Sequence, residues 1–297
     1  MTGSLFVQSI GFGLVTASIL ALASVGFTLQ FGVSNILNLA YGDLMTASAF
    51  AGYAVNQAGG SIAESLVAGA GFGALASALL NRYLYRRFVR HGTKLFGMVV
   101  VTLAVGIIVQ NILLAAYGAT FFSYSFSTGG QVHILGMVLD KFQLVIIAVS
   151  VAAMAAVQLL LTRTRLGKAM RATAANPGLA QASGIGTEQV TDLAWLMSGA
   201  LCGLAGVVLV LNTSAFQSTT GNDFLVVIVA AAMLGGVGRP TGAMLASVVL
   251  GVVTEVAARF ITPSFKEVIA FGVLVVVLLF RPTGIFGQGA TVKEVPT

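Results

Sequence analysis

Nine apolar runs follow one another from residue 5 to residue 280, at 5–30, 41–57, 62–81, 95–117, 142–162, 190–213, 222–238, 241–261 and 266–280, with hardly a charge inside them. A helix of about 20 apolar residues is what the hydrocarbon core of a bilayer requires. In water, so many unrelieved runs would have no polar surface to present. Composition gives the same answer: 8% of residues are charged, against about a quarter in soluble domains. That excludes a water-soluble enzyme. The 36 glycines suit membrane helices that pack closely, where small residues let backbones approach. The sequence therefore predicts an all-α polytopic membrane protein with roughly eight to ten transmembrane helices. Runs 41–57 and 266–280 are the short ones. A single transmembrane domain fills 1–297, leaving no room for a soluble domain.

The net charge of +6 would raise a nucleic-acid question in a soluble chain. Here the basic residues concentrate in two short loops, 82–94 and 163–189. The first holds Arg82, Arg86, Arg87, Arg90 and Lys94; the second holds Arg163, Arg165, Lys168 and Arg171. Excess Lys and Arg mark cytoplasmic loops, so both loops are expected on the cytosolic side, and no nucleic-acid partner is expected. Two spans separate the loops, so the parity agrees. Counting outwards puts the N-terminus outside and the C-terminus inside, with Arg281 and Lys293 in the cytosol; Lys141 and Lys266 fall outside. No Lys or Arg precedes the first run, so it reads as a retained helix rather than a cleaved signal. Cys202 is the single cysteine and can form no internal disulfide.

Two places interrupt the helical pattern. Residues 32–43 (GVSNILNLAYGD) set Asn35, Asn38, Tyr41 and Asp43 between two apolar runs. Residues 235–242 (GGVGRPTG) set four glycines, Arg239 and Pro240 between two more. A related pattern follows each, Gly42-x-Leu-Met-x-Ala-Ser and Gly242-x-Met-Leu-Ala-Ser. Interrupted hydrophobic segments in both halves of a chain point to a transport pathway; the alternative is two ordinary tight loops. An ionisable residue within a span is a functional candidate by default. Asp43 reads either as a pathway group or as a carboxylate favoured at a helix start. Glu255 reads either as a pathway group or as an ion pair with Arg259, four residues on. Gln110, Asn111 and Asn212 read as helix–helix hydrogen bonds.

No catalytic constellation appears. The two histidines, His91 and His133, fall in loops on opposite sides of the membrane. No cluster has metal-ligand spacing, and no G-x-S-x-G string occurs. The string Leu166-Gly167-Lys168-Ala169 lacks the upstream glycine and the Ser/Thr of a phosphate-binding loop. An enzyme is not expected, and any ATP hydrolysis belongs to another chain.

The loop 163–189 (RTRLGKAMRATAANPGLAQASGIGTEQ) carries its own structure. Residues 165–175 favour a helix, and the residue before Pro177 is steered away from helical geometry. A short second helix is expected at 178–183, closed by Gly184. Such a pair outside the membrane is a docking element for a groove on a cytosolic partner, or else a basic connector. As a dock, Arg171 would lie at the rim and Ala174 and Ala182 would allow close approach.

The string R-x-R-L-G-K-A-M-R-A-x-A-x-N-P-x-x-A-x-x-x-G-I in this loop resembles the coupling loop of bacterial ABC-importer permeases for branched-chain amino acids. The stretch G-F-T-L-x-F-G-V-x-N-I-L-N-L-A-Y-G-D-L-M near the N-terminus is similar to the same family. So are Gly199-Ala200-Leu201-Cys202-Gly203-Leu204-Ala205-Gly206 and Leu234-Gly235-Gly236-Val237-Gly238. Typical members read Asn-Phe-Ala-His-Gly where this chain has Asn38-Leu39-Ala40-Tyr41-Gly42. Length and the early first span resemble the LivH-type subunit. The resemblance implies a multi-pass protein of the bacterial cytoplasmic (inner) membrane, paired with a homologous LivM-type permease. It implies two cytosolic ATP-binding subunits, with ATP and Mg held there and no cofactor on this chain, and a periplasmic solute-binding protein. ATPase coupling would fall on Gly167, Arg171, Ala174, Asn176, Pro177, Ala182 and Gly184, and the solute pathway on Asn35, Asn38, Tyr41, Asp43 and Glu255. The solute would be a branched-chain amino acid or a related amino acid or amide, urea or an aromatic acid. A secondary transporter or channel for a small polar solute is the alternative; it would need no ATPase dock.

Overall fold

A computed structural model describes residues 2–126, 130–134, 137–260, 265–281 and 284–285; Lys293 and the C-terminal end lie outside these residues. Each of the nine apolar runs carries a helix among the described residues. Six of these helices are long and apolar enough to cross a membrane: Phe6–Ser34, Ile62–Arg90, Leu95–Tyr117, Lys141–Arg163, Thr187–Thr213 and Pro240–Phe260. The remaining three are shorter, Tyr41–Gln57 with 17 residues, Thr220–Gly235 with 16 and Lys266–Phe280 with 15. At about 1.5 Å per residue they rise only some 22–26 Å.

In chain order, α1 (Thr2–Ser34) and α2 (Tyr41–Gln57) flank the first break. They are followed by α3 (Ile62–Leu79), a π-helical turn (Leu80–Tyr85), α4 (Arg86–Arg90) and α5 (Leu95–Tyr117). A β1–β2 hairpin (Gln131–Ile134 and Met137–Asp140) precedes α6 (Lys141–Arg163), α7 (Arg165–Ala175) and α8 (Pro177–Ala182). Then come α9 (Thr187–Thr213), α10 (Thr220–Gly235), α11 (Pro240–Phe260) and α12 (Lys266–Phe280). The two interruptions are narrower than the sequence suggests, at 35–40 and 236–239. The chain leaves α1 through Asn35 at φ 53° and turns after α10 through Gly236 at φ 91°. Asn and Gly are residues that tolerate this left-handed region.

Local chemistry fixes other helix starts. Ser61 and Glu64 form a reciprocal capping box at α3, as Asp140 and Gln143 do at α6; each box satisfies two otherwise orphan N–H groups. The hairpin was not foreseen. It docks on α1 through Gln8, whose side-chain amide donates to Val138 O at 2.7 Å and accepts from Val138 N at 2.8 Å.

Helices α1 and α9 form the centre, with 78% and 72% of their apolar windows buried, against 28% for α5 and 22% for α6 on the periphery. Helix α1 packs on α11, α9 and α6, and α2 on α3, α9 and α10. The closest seam joins α3 to α9. Gly69 and Gly73 lie against Gly203 and Gly199, and a Cβ at either α9 glycine would overlap the facing α3 carbonyl. This four-residue spacing of glycines brings two helix backbones into van der Waals contact, the main source of helix association in a bilayer.

Both basic loops lie at one end of the bundle. Asn81 of the π-turn donates to Asp192 of α9 at 2.8 Å, and Arg86 pairs with Asp192 and Glu188. Arg90 reaches Glu188 at 2.6 Å.

Candidate functional site

The first break is buried and held from several sides. Asn38, 1% exposed, accepts from Ala40 N at 3.2 Å and from the Tyr85 hydroxyl at 3.4 Å. Thr102 of α5 donates to Leu37 O at 2.9 Å and accepts from Leu39 N at 3.2 Å. Irregular backbone in a membrane protein must find its hydrogen bonds within the protein, and here two side chains supply them. Tyr41 is buried, packs edge-on to Phe27 and donates to Ser198 O at 3.4 Å. Asp43 is buried near Gly106, with one carboxylate oxygen unpartnered.

The structure thus gathers Asn38, Tyr41 and Asp43 around one interruption. It also brings the end of α1 against the second one, with Gly32 against Gly238, while Gly42 packs against Gly221 at the start of α10. Asn35 is instead exposed at the end of α1. The break lies toward the end of the bundle that carries the basic loops. Its neighbours Val33, Ser34 and Ile36 line a cavity of about 280 Å3 with Arg86, Glu188, Thr173 and Pro177.

Glu255 does not join this group. It stands fifteen residues along α11 from Pro240, roughly 22 Å of helix. It accepts from Lys266 at 2.6 Å and from the Thr16 hydroxyl at 2.8 Å. The pairing with Arg259 suggested by the four-residue spacing gives way to a bridge across α11 and α12. Asn111 also departs from expectation: its amide donates to Ile107 O of its own helix at 2.8 Å, not to a neighbouring helix. Asn212 lines a second cavity, about 190 Å3, with Tyr124, Asp140 and Gln143.

The loop between α6 and α9 folds as a helix pair. Thr164 caps α7 by accepting from Gly167 N at 3.1 Å. Gly167 is buried so tightly that a Cβ would overlap the Leu160 and Leu161 carbonyls. Arg171 donates to Leu161 O at 2.8 Å, a cation satisfying the end of α6. Asn176 caps α8 by accepting from Leu179 N at 3.0 Å, and Pro177 takes the first helical position, where a missing N–H costs nothing. Gly184 closes the pair at φ 82°. Ala174, Asn176, Pro177, Ala182 and Gly184 are exposed together, whereas Gly167 and Arg171 build the joint to α6.

Sequence reasoning missed Leu179, an apolar side chain 65% exposed on α8. Its signal was a lone leucine amid Ala, Gly and Gln. It also missed Glu188 and Asp192, two acids four apart at the start of α9, where opposite charge to the basic loops was the available clue. Thr102 gave no signal.

The chain matches the family model described as branched-chain amino acid transport system, permease component, over residues 9–278. It is 30% identical to the high-affinity branched-chain amino acid transport system permease protein BraD of Pseudomonas aeruginosa, over 95% of this chain and 96% of that protein. It is 28% identical to the LivH permease protein of the same kind of system in Salmonella typhimurium, over 95% and 96%. Among solved structures, PsaBC from Streptococcus pneumoniae in complex with Fab shares the fold with a TM-score of 0.51 at 17% identity, covering 94% of this chain and 92% of that one. With the match running almost from end to end, the chain belongs to the family of permease components of branched-chain amino acid transport systems.

Proposed function

We propose that this chain is the LivH-type membrane subunit of an ATP-driven importer for branched-chain amino acids or related amino acids and amides. A periplasmic binding protein delivers the solute, a homologous LivM-type permease completes the pathway, and two cytosolic ATPases hold ATP and Mg. The N-terminus is outside and the basic loops and C-terminus are cytosolic. The supporting observation is the exposed α7–α8 pair, anchored to α6 by Gly167 and Arg171 and presenting Ala174, Leu179 and Ala182. That is a small apolar surface on a stiff base, suited to a groove on a partner. The segment 32–43 contributes to the pathway through Asn38, Tyr41 and Asp43; Asn35 and Glu255 are secondary candidates. ATP drives transport only if its subunits contact the two permease orientations unequally, and α7–α8 is where such a difference enters.

The test is Ala174→Glu. Overpacking a joint typically costs about 1–3 kcal/mol, roughly one to two decades of affinity. The variant should insert and fold, yet lose the ATPase on purification or lose solute-stimulated ATP hydrolysis. Thr187→Ala, at the far end of the loop, should be nearly silent. Full ATPase binding and full transport by Ala174→Glu would make the loop a connector and favour a secondary carrier.

A further inference from the structure

The first basic loop has cations to spare once its ion pairs are drawn. Arg86 is held by Asp192 and Glu188, and Arg90 by Glu188. Arg82, Arg87 and Lys94 are exposed and have no carboxylate partner among the described residues. Their surroundings are not those of a solvated polar face. Tyr83 is 59% exposed, Phe88 38% and Phe96 80%. Cations interleaved with bare rings fit neither water alone nor hydrocarbon alone.

The π-turn explains the arrangement. It directs Asn81 and Tyr85 inward, to Asp192 and Asn38, and leaves Arg82 and Tyr83 outward. The segment also marks a depth. The apolar α3 runs into it, and the apolar α5 begins directly after it at Leu95. It therefore lies where hydrocarbon gives way to headgroups, the level at which aromatic rings and long cationic side chains settle.

We propose that Arg82, Arg87 and Lys94 form a binding site for the headgroup of an anionic phospholipid, with Tyr83 and Phe96 lying against its acyl chains. Guanidinium groups match phosphate oxygens in a two-pronged fashion. Basic clusters beside a membrane helix attract anionic lipids. A bound headgroup also offsets the mutual repulsion of five cations within one short segment. Because Arg86 and Arg90 in that segment tie it to α9 beside Pro177, the bound lipid stiffens the floor on which the α7–α8 pair stands.

The test uses the complete purified transporter and native mass spectrometry with phosphatidylglycerol or phosphatidylcholine as the added lipid. Phosphatidylglycerol should bind preferentially. The triple variant Arg82→Gln/Arg87→Gln/Lys94→Gln should lose that preference, at about fivefold in affinity per cation removed, while keeping its unfolding temperature in phosphatidylcholine. Arg163→Gln/Arg165→Gln/Lys168→Gln, which removes three of the four cations of the other basic loop, should keep the preference. The proposal is overturned if the first variant still selects phosphatidylglycerol, or if the second loses it equally. It is overturned also if millimolar inorganic phosphate displaces the lipid. Loss of the ATPase from the first variant with lipid selection intact would reassign these cations to a protein contact.

Discussion

At the scale of single residues, the first break rests on two polar side chains serving several buried groups. Replacing Thr102 with Val keeps the shape but removes the donor to Leu37 O and the acceptor for Leu39 N. Unpartnered buried groups cost about 1–3 kcal/mol each. Thr102→Val should therefore lower the unfolding temperature in detergent more than Thr162→Val, whose exposed hydroxyl bonds only Gln158 O within its own helix. Asn38→Leu strips the acceptor from Ala40 N and the Tyr85 hydroxyl. It should impair uptake of labelled solute while membrane insertion, followed by immunoblot, stays intact. Normal uptake by both Asn38→Leu and Asp43→Leu would reduce the break to a turn. Asn38 and Asp43 were legible because a polar residue in an apolar run is conspicuous. Thr102 was not, since threonine is ordinary in a membrane helix and only the neighbouring backbone gives it work.

At the scale of elements, signals that act over a few residues could be read from the chain, while partners chosen across the bundle could not. Pro177 and Gly184 dictate their own backbone angles, so the α7–break–α8 pattern could be read with an error of one residue at α8. Glu255 shows the opposite case. Its nearest cation in sequence was Arg259, but the partner is Lys266, because α12 folds back beside α11 and no spacing rule encodes that return. The β1–β2 hairpin escaped for a similar reason, since its docking depends on Gln8, far away in sequence. The glycine seam was visible only as composition until α3 and α9 met. It makes a sharp prediction: Gly203→Val must push two backbones apart. Overpacking typically costs about 1–3 kcal/mol, and a rigid carbonyl opposite places this site at the upper end. Gly272→Val, where a Cβ meets nothing within 4 Å, should leave the unfolding temperature nearly unchanged.

At the scale of the whole molecule, the orientation proposed from charge is directly testable. A single cysteine at Arg90 or at Gln181, introduced with Cys202 replaced by Ala, should react with an impermeant maleimide only from the cytosolic side. Reaction of the Gln181 position from outside would invert the topology. The two loops must answer alike, because Arg86 and Arg90 are bound to Asp192 and Glu188.

Those ion pairs, taken with the glycine seam, make α3, the π-turn, α4 and α9 mechanically a single beam, fastened both at its foot and along its length. Helix α9 has 27 residues, about 40 Å, and it begins five residues after α8 ends. A displacement applied at the foot should therefore carry α3 and α9 together toward the opposite end of the molecule, because their backbones are in contact along the seam. Flexing has to occur at the joints where the beam meets its neighbours, and a cross-link between α3 and α9 should leave the transport cycle running.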